Sequence, residues 1–378
     1  MWGKSWLNKT GADEFMVNTG LEGIIAAETV LSHVDGERGI LWVRGHTLPD
    51  LVANHGYEGA VALLWEGFAG DGLTHAEILA RFAAGRELAF ARLDDWLEAA
   101  AQRPLIEGVR ICLAALSDDS TPAIIAAALP VGIAALLRVQ HGETPMAPEP
   151  SFGTAADFLR MVRGAPAPQP IADALETYLT VVIDNGLNAS TFASRIIAST
   201  HASLTSAVLG AYCAFTGPLH GGAPGPTLDM LDEIEASGDI EGWLDRKLAA
   251  GERLMGFGHR VFRVRDPRAE LLREALQRLG PDIGRLAFAA EVERRALAAL
   301  KHFKPGRSLQ TNVEINAALL LDAVGLPREA FTPVFALARS AGWLAHAMEQ
   351  RKTGRLIRPS STYIGPHPAS TRNSPTSR

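Results

Sequence analysis

Two histidines in this 378-residue chain stand among glycines at the ends of apolar segments. The first lies in Gly217-Pro218-Leu219-His220-Gly221-Gly222-Ala223-Pro224. The second lies in Leu254-Met255-Gly256-Phe257-Gly258-His259-Arg260-Val261-Phe262, with Asp266-Pro267-Arg268 just downstream. Glycine has no Cβ, so backbone amides at such places can approach a ligand that a side chain would exclude, and loops of this kind carry binding and catalytic groups. One histidine beside a glycine is ordinarily a solvated or satisfied loop residue. Two such loops in one chain mark a candidate active site. Neither HExxH nor close ligand spacing joins His220, His259 and Glu314, so a metal centre at these residues is not expected.

The elements that must position these loops read as helices. Leu204, Val208, Ala211 and Phe215 share one helical face, and Gly217 and Pro218 then stop the helix and release the chain into the His220 loop. Pro226 fits the first position of the next helix, with Leu228, Leu231 and Ile234 inward. Residues 76–82 and 93–101 are helical in composition, and 287–303 carries Val292, Ala296, Ala299 and Phe303 at helical spacing. Residues 123–137 form an apolar run shorter than the roughly 20 residues a bilayer span needs, and are expected to be a buried helix kinked at Pro130. The one strand signal is at 29–43, where two β-branched and aromatic runs flank Asp35-Gly36 and predict a short hairpin. The Pro-rich stretch 146–169 reads as a mobile surface connection, and the polar tail 367–378 as disordered.

With 47% hydrophobic residues the chain can bury one large core or two adjacent ones. A net charge of -6 with both signs interspersed leaves no broad cationic surface, which argues against nucleic acid as the main partner. Cys112 and Cys213 are isolated and read as small buried hydrophobes in a reducing compartment. The N-terminus lacks the order of a signal peptide, so the expected location is the cytoplasm, away from membranes.

Taken together, the two histidine loops and Asp266-Pro267-Arg268 resemble the citrate synthase family. The resemblance runs from Gly20-Leu21-Glu22-Gly23 through Arg44-Gly45-His46, Leu187-Asn188-Ala189-Ser190-Thr191-Phe192 and Ala338-Arg339-Ser340-Ala341-Gly342-Trp343 to Arg355-Leu356-Ile357-Arg358-Pro359 and Tyr363-Ile364-Gly365-Pro366. It implies a mainly α, two-domain helical fold with a short N-terminal β-hairpin. The large domain would comprise 1–220 and 323–366 and the small domain 221–322. It also implies a tight homodimer in which the C-terminal arginine of one subunit completes the partner's site. The implied reaction joins the α-carbon of an acyl-CoA, acetyl-CoA first, to the ketone of oxaloacetate and then hydrolyses the thioester, giving citrate and free coenzyme A with no further cofactor. By position, His220 would hold the thioester carbonyl, His259 the ketone oxygen, and Glu314 would be the base. Arg268, Arg339 and Arg358 would bind the dicarboxylate through planar guanidinium forks. Coenzyme A would lie along Leu254, Met255, Gly256, Phe257 and Gly258, with Arg263 near a phosphate.

The chain departs from the family pattern in two places. Asn312-Val313-Glu314 stands where most members have Asn-Val-Asp, and Asn185 stands where most have a histidine that touches the oxo acid. An asparagine can still donate to a carboxylate without charge. These departures keep two other readings open: a 2-methylcitrate synthase using propionyl-CoA, and a diverged low-activity paralogue that senses CoA esters or dicarboxylates.

Overall fold

A computed structural model describes residues 20–21, 23–221, 224–258, 262, 264–280, 285–304 and 309–366. Residues 20–30 group as a short separate unit, closed locally by Ile24 N–H donating to the Leu21 carbonyl at 3.1 Å. From Leu31 onward the described residues make three short strands and sixteen α-helices. The strands are β1 (Ser32–Asp35), β2 (Ile40–Val43) and β3 (His46–Thr47). The helices are α1 (Leu48–Asn54), α2 (Gly56–Trp65), α3 (His75–Phe90), α4 (Leu97–Ala101), α5 (Leu105–Ala114), α6 (Pro122–Gln140), α7 (Thr154–Arg163) and α8 (Gln169–Val181). They continue as α9 (Ala189–Ser199), α10 (Leu204–Phe215), α11 (Pro224–Ser237), α12 (Ile240–Ala249), α13 (Pro267–Arg278), α14 (Leu286–Phe303), α15 (Val313–Ala323) and α16 (Phe331–Thr353).

The core forms around two helices with almost no polar face, as such helices must be covered on all sides. In α16 nearly every residue from Phe331 to Gln350 is buried, and the helix packs against α2, α5, α6, α8, α9 and α10. The apolar window of α6 is 78% buried inside the protein, which makes it a core helix, and it continues through Pro130 to Gln140. Helices α11 to α15 pack mostly among themselves and meet the others through α8, α16 and α1.

The antiparallel hairpin is present, in the register Ser32↔Val43 to Asp35↔Ile40, with β3 added on β2. Its loop spans four residues, 36–39, because Asp35 Oδ1 accepts from the amides of Glu37 and Arg38 and opens the turn beyond Asp35-Gly36. Residues 146–169 are not a free connection. Gly153 and a left-handed Gly164 bound α7, and Asp157 on its buried face pairs with Arg86 at 2.8 Å, both side chains fully buried. Cys112 is buried as expected, with its thiol pushed up to about 12 by desolvation, whereas Cys213 is exposed on the outer face of α10. Helix α11 begins two residues before Pro226, and the α14 seam runs through Ala289, Val292, Ala296 and Leu300, leaving Phe303 38% exposed. The tail 367–378 lies outside the described residues.

One close approach ties the core to the functional loops. Gly342 sits in α16 where a Cβ would come 2.5 Å from the Ile183 carbonyl and 2.9 Å from Asp184 Oδ1. Only glycine lets the central helix lie against the turn that carries Asp184 and Asn185. Gly342→Ala is expected to cost about 1–3 kcal/mol of stability, as overpacking a tight core does. Because the displaced atoms belong to the 182–185 turn, which the resemblance assigns to the oxo acid through Asn185, the same variant is expected to raise KM for that acid more than that for the acyl-CoA. Thermal unfolding and steady-state kinetics check both, and an unchanged KM ratio would mean that the turn absorbs the methyl without moving.

Candidate active site

Three helices bring their second residue to the same region, and each begins at an Asx cap. Asn188 caps α9 by accepting from the Thr191 amide, Asp266 caps α13 by accepting from Arg268, and Asn312 caps α15 by accepting from Glu314. Ser190, Arg268 and Glu314 therefore sit in first turns, where unpaired amides and the helix dipole favour negative charge nearby.

His220 is oriented by the first of these helices. The Ser190 amide donates to His220 Nε2 at 3.2 Å, and Ser190 Oγ lies 2.9 Å from the same nitrogen. A backbone N–H can only donate, so Nε2 must accept, and in the neutral ring the proton stands on Nδ1. Ser190 Oγ is itself 2.8 Å from Asn188 Oδ1 and receives the Trp343 indole N–H at 3.1 Å. The imidazole also rests edge-on against Phe215 at 5.1 Å. This arrangement gives a fixed, uncharged donor, the kind of group that can stabilise an enolate oxygen.

Glu314 is held by a brace between two segments. Phe257 and Thr311 form an antiparallel bridge, the Gly258 amide donates to the Gln310 carbonyl at 2.8 Å, and the Asn312 amide donates to the Gly256 carbonyl at 3.0 Å. Asn312 Nδ2 adds a bond to the Gly258 carbonyl at 3.0 Å. Gly256 has φ +81°, and a Cβ there would be 2.3 Å from Ile315 Cγ1, so this glycine allows the loop to lie on the start of α15. Burial raises the pKa of the Glu314 carboxyl and outweighs the Asn312 side chain, the Gly256 amide and Arg268, which all favour the anion. A carboxylate made more basic in this way suits proton abstraction from carbon.

One guanidinium lies within electrostatic reach of Glu314, and a second lies within reach of the first. Arg268 makes a two-point contact with Asp266, Nε to Oδ1 at 3.0 Å and Nη2 to Oδ2 at 2.7 Å, and its charge reaches Glu314, Arg339 and Tyr178. Arg339 is buried in α16, donates from Nε to the Val182 carbonyl at 2.7 Å and stacks 5.0 Å over Phe335. Its Nη2 is buried and has no hydrogen-bond partner. Desolvation lowers the Arg339 pKa to about 10, with Asp184 opposing and Arg268 adding to the fall. Asn185 Oδ1 and the Tyr178 hydroxyl are likewise buried without partners. The Phe335 ring under Arg339 is 4.9 Å from Phe215, the ring that supports His220, so one aromatic cluster carries both the arginine and the histidine.

The remaining expected residues are distributed differently. His259 and Arg263 lie outside the described residues. Leu254 is buried, and Met255 and Phe257 are half-buried on the braced loop. Arg358 is exposed, on an extended segment pinned where the Ile357 amide donates to Ser199 Oγ at 3.1 Å, and in the single chain it does not join the other arginines. Four participants were given no role in the reading of the sequence: Ser190 and Trp343, which stand inside its motifs, and Asp184 and Tyr178. Ser190 had a signal, being the second residue after a helix-capping asparagine. Asp184 is buried, and although burial alone would raise its pKa, His346 and Arg339 bring it down to about 2.

The chain is similar to proteins of one family over most of its length. The family model described as "Citrate synthase, C-terminal domain" matches residues 20–360. "Putative citrate synthase 2" of Mycobacterium tuberculosis is 38% identical, the match covering 93% of this chain and 94% of that protein. The "2-methylcitrate synthase" of the same organism is 34% identical, covering 92% and 91%. A solved citrate synthase from Thermoplasma acidophilum, in ternary complex with carboxymethyl coenzyme A and oxaloacetate, superposes with a TM-score of 0.82 at 26% identity, covering 94% of this chain and 97% of that one. With a mainly helical fold, a fixed imidazole and a buried carboxyl within reach of Arg268, the chain belongs to the citrate synthase family and is an enzyme of its acyltransferase type.

Proposed function

We propose that the chain condenses acetyl-CoA with oxaloacetate to give citrate and free coenzyme A. The observation that carries this reading is the buried, unpartnered Nη2 of Arg339, within electrostatic reach of Arg268, whose own charge acts on Glu314. A closed site with two permanent cations and an open donor calls for a dicarboxylate, and the adjacent basic carboxyl calls for a carbon acid. Glu314 takes the α-proton of the thioester, and Nδ1–H of His220 receives the enolate oxygen. The α-carbon then attacks the ketone carbon, whose oxygen takes up a proton on the side assigned to His259. Water finally cleaves the thioester and releases the thiol.

Acetyl-CoA is favoured over propionyl-CoA because a glutamate in place of aspartate extends about one methylene further into the site, on the order of an ångström, and takes room from the acyl carbon. Coenzyme A is assigned to the loop 254–258 and Arg263. The condensation is assigned no metal or cofactor. Residues 221–322 are assigned to a small domain that closes over 1–220 and 323–366, a reading supported by the preference of α11 to α15 for one another. The exposed position of Arg358 supports a homodimer in which this arginine serves the partner's site. Two cysteines far apart in sequence favour the cytoplasm.

A thiol-release assay across acyl-CoAs and 2-oxo acids should give its highest kcat/KM with acetyl-CoA and oxaloacetate; a higher value with propionyl-CoA would transfer the assignment to 2-methylcitrate. Glu314→Gln has the shape of the base without its basicity. This variant is expected to bind both substrates and yet fail to exchange the thioester methyl protons with deuterated water, as followed by NMR beside an unreactive oxo-acid analogue. Undiminished exchange would mean that another group is the base.

The pH profile provides an independent check. A base whose pKa is raised in the folded protein loses its proton later as pH rises, so the acid limb of kcat/KM should lie above the ordinary glutamate value of about 4.3. An acid limb at or below that value would contradict Glu314 as the base.

The dimer reading is tested by mixing two inactive variants, Glu314→Gln and Arg358→Ala, under conditions that exchange subunits. Half of the dimers would be mixed, each with one intact site, so activity should return to about a quarter of the unmodified level. No recovery despite proven exchange would place Arg358 outside the partner's site.

A further inference from the structure

The corner between β3 and α2 gathers three metal-ligating side chains that the condensation does not use. His46 lies in β3, Asp50 in the first turn of α1, and His55 at the C-cap of the same helix. His46 Nδ1 is 2.5 Å from Asp50 Oδ2, and the His46 and His55 rings meet edge to face with centroids 4.8 Å apart. One ligand-capable atom from each of the three lies within 4.8 Å of the other two. All three residues are half-buried, so the cluster is rooted in the fold and open to solvent.

The surroundings hold this cluster in place. Asn54 Nδ2 donates to Asp50 Oδ1 at 2.7 Å and leaves Oδ2 directed at His46. Thr47 caps α1, and a proline occupies its first turn. Beyond His55 the chain turns through Gly56 at φ +63°, and the Tyr57 amide is secured by Glu176 Oε1 at 2.6 Å. Backbone on both sides of the cluster is therefore fixed, and only side-chain rotations separate the three groups from a common centre.

We propose that His46, Asp50 and His55 bind one divalent transition-metal ion of the zinc class, with water as the fourth ligand. Two imidazole nitrogens and one carboxylate oxygen suit zinc, whereas magnesium and calcium select all-oxygen sites. Zinc bond lengths of about 2.0–2.1 Å in a tetrahedron put ligand atoms about 3.3 Å apart. The close His46–Asp50 contact opens to that separation when the ion replaces the proton between them, and this proton passes to solvent. The wider separations close by rotation of the half-exposed rings. Asn54 then acts as the outer partner that orients the carboxylate. Three protein ligands leave the ion exchangeable, and it ties the sheet edge to both ends of α1.

The test uses the full chain, stripped of metal by a chelator and titrated calorimetrically with zinc chloride. One ion per chain should bind in the micromolar range or tighter and raise Tm, and cobalt(II) in its place should give the visible absorption of a four-coordinate centre. His55→Ala and, separately, Asp50→Asn should each weaken zinc binding at least about tenfold, abolish the Tm gain and leave zinc-free turnover unchanged. Since both side chains are half-exposed, folding of the variants is checked by their zinc-free Tm. The absence of zinc binding at micromolar concentration, or binding that survives both substitutions, overturns the proposal.

Discussion

The start of a helix leaves backbone amides without partners, and this site is organised around three such starts. At α9 the cap asparagine takes the Thr191 amide and the Ser190 amide is left to His220 Nε2. At α13 and α15 the cap takes the second amide itself, and the side chains of Arg268 and Glu314 stay beside their caps, Arg268 in a two-point contact with Asp266 and Glu314 within reach of the Asn312 side chain. The same elementary need, to satisfy the first turn, thus fixes a tautomer in one case and holds a charged side chain beside its cap in the other two. The histidine acquires its protonated Nδ1 from this accounting.

Arg339 is placed by a different constraint. A guanidinium inside a helix that is buried on every side must recover its lost hydration from the protein, and here it recovers only part. The Val182 carbonyl takes Nε, the Phe335 face lies beneath the plane, and Asp184 contributes charge. Asp184 in turn faces His346, which accepts Arg195 Nε on Nδ1 at 3.0 Å, and Arg195 continues to Glu349 and Gln350. Since His346 Nδ1 accepts, its proton is on Nε2 and points at Asp184, so this buried network is ordered in one direction. It supports the 182–185 turn from below, while Gly342 lets α16 approach that turn from the side. The unpartnered Nη2 is the residue of this arrangement, a polar atom for which the protein alone provides no acceptor.

Much of the helical framework was legible because it follows from local patterns. The 204–215 face, the glycine and proline that end it, and the hairpin around Asp35 all follow from periodicity and turn chemistry within a few residues. The all-apolar helices were legible as buried, but not their neighbours. Residues 146–169 misled because proline content signals a loop, while the ion pair that secures α7, Asp157 with Arg86, joins positions some seventy residues apart. Likewise Cys213 and Cys112 look alike in sequence, and only the packing of α10 leaves one outside. At the site, His220 and the arginines announced themselves through motifs, whereas Tyr178 and Asp184 did not. Their roles come from what burial removes, and burial is decided by distant segments. Gly256 had a visible signal with a different meaning, since its missing Cβ accommodates Ile315 as well as any approaching ligand.

The electrostatics of Glu314 connect the proposed base to the proposed anion site. Burial makes the carboxyl more basic, and an isolated Arg268 at close range would undo that by stabilising the anion. Asp266 counters this in part, since it pairs with the guanidinium at two points and itself opposes ionisation of Glu314. The pair can therefore present nitrogens to a dicarboxylate without making the base too weak. A dicarboxylate held at Arg268 and Arg339, as proposed, would bring further negative charge into this buried region, and like charge raises a carboxyl pKa. On the proposed assignment, Glu314 would become a stronger base once the oxo acid is in place, so abstraction of the α-proton would be favoured when the acceptor for the resulting carbanion is already bound.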